Sequence, residues 1–142
     1  RSKPKVLVIE GWFLGCKPII ENEKNTIILN ENIEPPLSLA EKDYRLKIQE
    51  SLSLYLPIWS MFSSLWHIKS EEFSYTSKWK KQQESNMLKN KGSSLSGLEL
   101  QSFIRMISTS LPQESLQNIV SDVRFNINSK RQITAINTNN LD

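Results

Sequence analysis

Val6-Leu7-Val8-Ile9 is an unbroken apolar run that ends on Glu10-Gly11. A short apolar run without alternation predicts a strand buried on both faces, as in parallel α/β sheets. Residues 10–18 would then lie past the carboxyl end of that strand, where such sheets bind ligands. Residues 19–38 are mixed, rich in Asn and interrupted by Pro35-Pro36, and predict a loop with a short strand over residues 26–29. Ser38 followed by Glu41 has the spacing of a reciprocal helix cap. A helix is expected from there, with Leu39, Tyr44, Ile48, Leu52 and Tyr55 in its pattern and Pro57 breaking or kinking it. Trp59, Met61 and Phe62 extend the apolar segment, and residues 65–68 predict a second buried strand.

Ser70 or Ser74 would open a second helix that runs to about Lys91, with Gly92 placed to end it. Ser93-Ser94 reads as a hinge-like break. Residues 95–109 predict a third helix with Leu98, Phe103, Ile104 and Ile107 on one face, and residues 112–119 a short fourth. Val123, Phe125 and Ile127 alternate with polar residues. Ile133 and Ile136 follow Asn128-Ser129-Lys130, which predicts a terminal strand folded as a hairpin. Residues 137–142 read as a tail. The order of elements predicts an α/β fold. About three strands are few for such a sheet, so the rest of the sheet is expected outside these residues.

With 142 residues, the chain has room for one domain with its own core. Hydrophobic residues make up 38% and charged residues 23%, a globular balance rather than a disordered one. The net charge of +3 is spread along the chain and argues against nucleic-acid binding. Cys16 is the one cysteine, which excludes a disulfide framework and points to a reducing, cytoplasmic setting. No apolar run approaches the ~20 residues of a membrane span. Arg1-Ser2-Lys3-Pro4-Lys5 leads straight into the apolar run, unlike a signal peptide. It lacks an initiator Met, so the chain is expected to begin in mid-protein at the edge of a buried strand.

Two segments could carry chemistry. A carboxylate at a strand end followed by Gly, as in Glu10-Gly11, could accept the proton of an attacking hydroxyl or hold a water on Mg²⁺. Spacing alone favours the plainer reading, in which Glu10 solvates a strand end. Lys78-Trp79-Lys80-Lys81-Gln82-Gln83-Glu84 could form a cationic lid beside a hinge. Here too the plainer reading leads, with Lys80 and Lys81 pairing with Glu84 along a solvated helix face. His67, inside an apolar segment, is expected to pack in the core. Cys16 has no neighbouring histidine, which argues against a nucleophilic role. Trp12, Trp59, Trp66 and Trp79 are expected to anchor the core. No cluster has zinc-ligand spacing. No Gly-x-x-x-x-Gly-Lys-Ser/Thr loop occurs, so the chain supplies no cradle for nucleotide phosphates.

Taken together, these segments resemble the D-glycerate 3-kinase family, most closely its cyanobacterial members. Glu10-Gly11-Trp12-Phe13-Leu14-Gly15-Cys16-Lys17-Pro18 is similar to that family's Glu-Gly-Trp-Phe-x-Gly-x-Arg-Pro signature, with Lys17 in place of Arg. Gln49, Leu52 and Tyr55 resemble its Asn-x-x-Leu-x-x-Tyr element, and Leu56-Pro57-Ile58-Trp59 and Ser64-Leu65-Trp66 extend the likeness, with Ser63 where Asp is common. Trp79-Lys80-x-x-Gln83-Glu84 resembles the Trp-Arg-x-x-Gln-Glu lid. The likeness continues through Leu95-Ser96 to Phe103 and into Asp122-Val123. It implies one region, residues 1–142, forming the C-terminal part of a P-loop kinase domain with its lid near residues 70–95. It implies transfer of the γ-phosphoryl group of ATP to D-glycerate, with the missing N-terminal half of the same protein supplying the phosphate loop. Glu10 and Lys80 would be catalytic. Gly11, Trp12 and Lys17 would bind substrate, and Lys78, Trp79, Gln83 and Glu84 would belong to the lid. Mg²⁺ would be held without a direct protein ligand, through a water on Glu10. Neither a nucleic acid nor a membrane is implied as partner. Lys for Arg at 17 and 80 keeps the charge but loses the bidentate fork. Other P-loop kinases of the uridine kinase or phosphoribulokinase type, and a non-catalytic binding module on the same scaffold, remain alternatives.

Overall fold

The computed structural model describes residues 5–19 and 33–139. The strand expected at 26–29 lies outside them. Helix α1, Leu39–Trp59, starts on the reciprocal cap its sequence announces. The Glu41 carboxylate accepts from the Ser38 amide at 2.8 Å, and the Ser38 hydroxyl accepts from the Glu41 amide at 3.2 Å. Pro57 does not break α1. It sits in the last turn, where the only loss is a single bond to the carbonyl four residues back. The buried face differs from the expected one. Arg45, Gln49 and Leu52 are buried, while Leu39, Tyr44 and Tyr55 are exposed.

Arg45 is fully buried. Its Nε donates to the Thr109 carbonyl and its Nη2 to the Leu111 carbonyl at 3.4 Å. Both carbonyls belong to the end of helix α3, Gly97–Ser110, whose cap is Leu111. A helix C-terminus presents unpaired carbonyls and the negative end of its dipole, so it suits a cation. One turn nearer the start of α1, Arg105 of α3 forms a two-pronged ion pair with Glu41, at 2.6 and 2.9 Å, and also donates to the Pro35 and Pro36 carbonyls. The start of α1 and the end of α3 are thus tied at two points about one turn apart.

Helix α2, Tyr75–Lys91, ends as expected at Gly92, whose φ of 70° is left-handed and whose amide donates to the Leu88 carbonyl. Helix α3 starts later than expected, at a second reciprocal cap formed by Ser96 and Glu99. Leu98 therefore lies in the first turn and is exposed rather than part of the buried face. Helix α4 is one short turn, Gln113–Gln117.

Strand β1, Trp66–Ser70, runs parallel to β2, Val123–Ile127, which pairs antiparallel with β3, Ile133–Thr138. The sheet order is β1-β2-β3. The predicted hairpin is present, with Arg131 at φ 61° in its turn. β1 is not doubly buried. His67 and Lys69 lie on the α4 side, near Leu116 and Asn118, while Trp66 and Ile68 are 65% and 67% exposed. Residues 6–9 form no strand, and all four side chains are exposed. An apolar run records a preference for burial, whereas a strand also needs a partner for its backbone. Among the described residues none pairs with it. The core gathers Cys16, Leu52, Leu111 and Ile119, flanked by Phe13, Ile48, Leu65 and Leu116.

The Glu41–Arg105 pair gives a pH test. The Arg105 hydrogen bond chiefly, with the Ser38 bonds assisting, lowers the Glu41 carboxyl from its ordinary 4.5 to about 2. A carboxylate lowered in the folded state stabilises it above the unfolded value, and that contribution is lost as pH falls through the folded one. Glu41→Gln should cost about 1–2 kcal/mol at neutral pH in urea denaturation. The gap between variant and parent should close as pH falls from 4.5 towards 2. A gap that stays constant over that range contradicts the pairing.

Candidate functional site

The segment following the apolar run is pinned from three sides. Residues 12–15 turn, and the Cys16 amide donates to the Phe13 carbonyl at 3.0 Å. Trp59 Nε1 of α1 donates to the Cys16 carbonyl at 2.8 Å, and Gln49 of α1 accepts from the Ile19 amide at 2.8 Å. Gly15 has φ 83°, and a Cβ there would come 2.5 Å from Leu65 Cδ2. Only glycine combines that conformation with that approach. Phe13, Gly15 and Cys16 therefore face inward. Glu10, Gly11, Trp12 and Lys17 are exposed.

Trp12 turns toward α3, its ring 6.3 Å from that of Phe103. Lys80 of α2 reaches the same Phe103, its Nζ 4.6 Å from the ring centroid. Lys80 also pairs with Glu84 at 2.7 Å and contacts Gln83 Oε1 at 3.4 Å. Glu84 is the buried residue of α2, and its other oxygen accepts the Leu95 amide at 2.9 Å. The Lys80 hydrogen bond first, then the Leu95 amide, lowers the Glu84 carboxyl below its ordinary range. Trp12, Thr76, Ser77, Lys80, Ile104, Ile107 and Ser108 line a shallow, open depression between the segment and the two helices.

The fold thus brings together Trp12, Lys80, Gln83 and Glu84 from the expected set. It leaves Glu10, Gly11, Lys17 and Lys78 exposed and outside that cluster. Trp79 faces elsewhere. Its Nε1 donates to the Ser129 carbonyl at 2.9 Å, and the Arg131 guanidinium carbon lies 5.4 Å from its ring, so it anchors α2 to the β2–β3 turn. Of the four tryptophans expected in the core, Trp12 and Trp66 are more than half exposed. Phe103 was expected only as a packing residue. The signal for more was its place on the α3 face that meets the basic helix.

Other polar groups are quiet. Burial chiefly, then the Arg124 and Lys69 charges, lowers the His67 pKa and keeps it neutral. Burial pushes the Cys16 thiol up to about 11, so it stays protonated and unreactive. Among the described residues no group of three or more His, Cys, Asp or Glu converges as a metal site. In the segment from 10 to 18, Glu10 is the one carboxylate.

In class, the fold is a three-stranded mixed sheet flanked by helices, similar to the P-loop kinase fold. The particular likeness is to D-glycerate 3-kinase from Cryptococcus neoformans var. grubii, with a TM-score of 0.75 and 24% identity over 97% of this chain and 51% of that one. The YGR205w protein is similar at a TM-score of 0.56 and 20% identity, over 93% of this chain and 47% of that one. The chain therefore spans about half the length of these structures. No family model and no curated protein matches it.

Gly15 tests how firmly the segment is held. Gly15→Ala should destabilise the chain by about 1–3 kcal/mol, from the left-handed backbone and the Leu65 contact together. Urea denaturation measures this. Stability equal to the parent's would mean the segment is not fixed against Leu65.

Proposed function

We propose that the chain carries the acceptor-binding segment and the cationic lid of an ATP-dependent small-molecule kinase, with D-glycerate as acceptor and 3-phosphoglycerate as product. One observation carries the proposal: Trp12 of the segment and Lys80 of the basic helix meet over Phe103. Two stretches that spacing alone would assign to a solvated strand end and a solvated helix face thus each send one side chain to the same ring. The match to a D-glycerate 3-kinase structure supports the choice of acceptor.

In this proposal Glu10 accepts the proton of the attacking hydroxyl as its oxygen bonds to the γ-phosphorus, and ADP leaves with the electrons of the broken bond. Lys80 offsets charge on the phosphoryl group in flight. Lys17 binds the acceptor carboxylate, and Gly11 and Trp12 shape its pocket. Lys78, Trp79, Gln83 and Glu84 belong to the lid, with Trp79 as its anchor. Mg²⁺, when bound with ATP, neutralises phosphate charge. The phosphate cradle would come from the half of the fold that the matched structures contain beyond this chain's length, making residues 1–142 one C-terminal region of the kinase. Two further features support such a complement. Val6 to Ile9 are exposed, and β1 presents Trp66 and Ile68 to solvent. Apolar surface of this kind calls for a cover. The setting proposed is the cytoplasm, with neither nucleic acid nor membrane as partner; no described helix is long and apolar enough to cross a membrane.

The two lysines should fail differently in the complete protein. Lys80→Ala should lower kcat, because its charge matters most in the transition state. Lys17→Ala should raise KM for D-glycerate with little change in kcat, and should narrow the preference for D-glycerate over glycerol. Steady-state kinetics separate the two effects. If each variant stays within roughly 0.5 kcal/mol of the parent, both are solvated surface lysines and the site assignment is wrong.

A further inference from the structure

A surface Lys–Glu pair four residues apart is ordinarily solvated and holds its partners loosely. The Lys80–Glu84 pair departs from that pattern. The Glu84 side chain is 5% exposed and that of Lys80 is 18% exposed. A buried carboxylate needs a partner for each oxygen, and here the partners come from two directions. One oxygen takes the Lys80 ammonium at 2.7 Å, within α2. The other takes the Leu95 amide at 2.9 Å, outside α2 and one residue before the Ser96 cap of α3. The position of Glu84 is therefore set by α3 as well as by its own helix. Through the Glu41–Arg105 pair, α3 is in turn fixed to α1.

The ammonium is held on a second side by the Phe103 ring at 4.6 Å, and Phe103 touches Trp12. A free lysine would spread its charge over many rotamers. This one is confined to the place where the segment and the basic helix meet. We propose that Glu84 is a positioning residue: tied to the Leu95 amide, it fixes the Lys80 ammonium against Phe103 beside Trp12. Glu84 touches neither acceptor nor phosphate in this arrangement and acts only through Lys80. The inference rests on the kinase proposal for the meaning of Lys80, but the clamp itself can be measured without catalysis.

The test compares Lys80→Ala, Glu84→Gln and the double variant in the complete protein. Glu84→Gln keeps an oxygen for the Leu95 amide while removing the charge that holds Lys80. It should lower kcat roughly 3- to 30-fold and leave KM for D-glycerate nearly unchanged. In the Lys80→Ala background the same change should have almost no effect on kcat. Equal losses in both backgrounds would make Glu84 a stability residue and overturn the proposal, as would an unchanged kcat in Glu84→Gln alone. An unchanged kcat in Lys80→Ala would remove the catalytic assignment of Lys80 and the positioning role with it. Reductive methylation read by mass spectrometry separates these failures. Lys80 should be modified several-fold faster in Glu84→Gln than in the parent, and equal rates would mean that no clamp exists.

Discussion

A guanidinium keeps its charge at every pH a protein meets, and it cannot be buried without partners. Arg45 is fully buried, and its donors go to the carbonyls that close α3, 64 and 66 residues along the chain. That requirement forces α1 and the end of α3 together, and much of the remaining arrangement follows. α1 then offers Gln49 and Trp59 to pin the segment from Cys16 to Ile19. α3 offers Phe103 as the surface that Trp12 and Lys80 share, and the approach to its cap offers the Leu95 amide to Glu84. The two halves of the candidate site are thus referred to one helix pair.

Much of this frame was legible in the sequence where the determining contact is local. The Ser38–Glu41 cap, the Gly92 stop and the alternation from Val123 to Ile127 each involve residues a few positions apart. The Ser96–Glu99 cap has the same signature, but the nearby apolar residues Leu95 and Leu98 drew the expected helix start too early. The misses share a different cause. Nothing local in the sequence marks Arg45 and Gln49 as buried, because their partners are distant along the chain. Val6 to Ile9 read as a strand because hydrophobicity shows what a run prefers, and gives no sign of whether a neighbouring strand is present to pair with it.

The candidate site was partly legible for the same reason. The segment and the basic helix stood out individually, yet only the fold puts Trp12 and Lys80 on one ring. Trp79 has the look of a lid residue in sequence but is used as an anchor against Ser129 and Arg131. The exposed face of β1 and the exposed apolar run also fit the match to half of each larger structure. In the proposed reading, an acceptor segment and a lid act together with a phosphate cradle that the rest of such a fold would supply.

The central claim is that these residues serve phosphoryl transfer to a small carboxylated alcohol once a phosphate cradle is present. The direct measurement follows label from γ-³²P-ATP with Mg²⁺ and D-glycerate, for the complete protein and for residues 1–142 alone. The account predicts labelled 3-phosphoglycerate from the complete protein and none from the isolated chain. Turnover by the isolated chain would contradict the division of labour between the two halves. Release of label solely as inorganic phosphate by the complete protein would contradict the assignment of an acceptor.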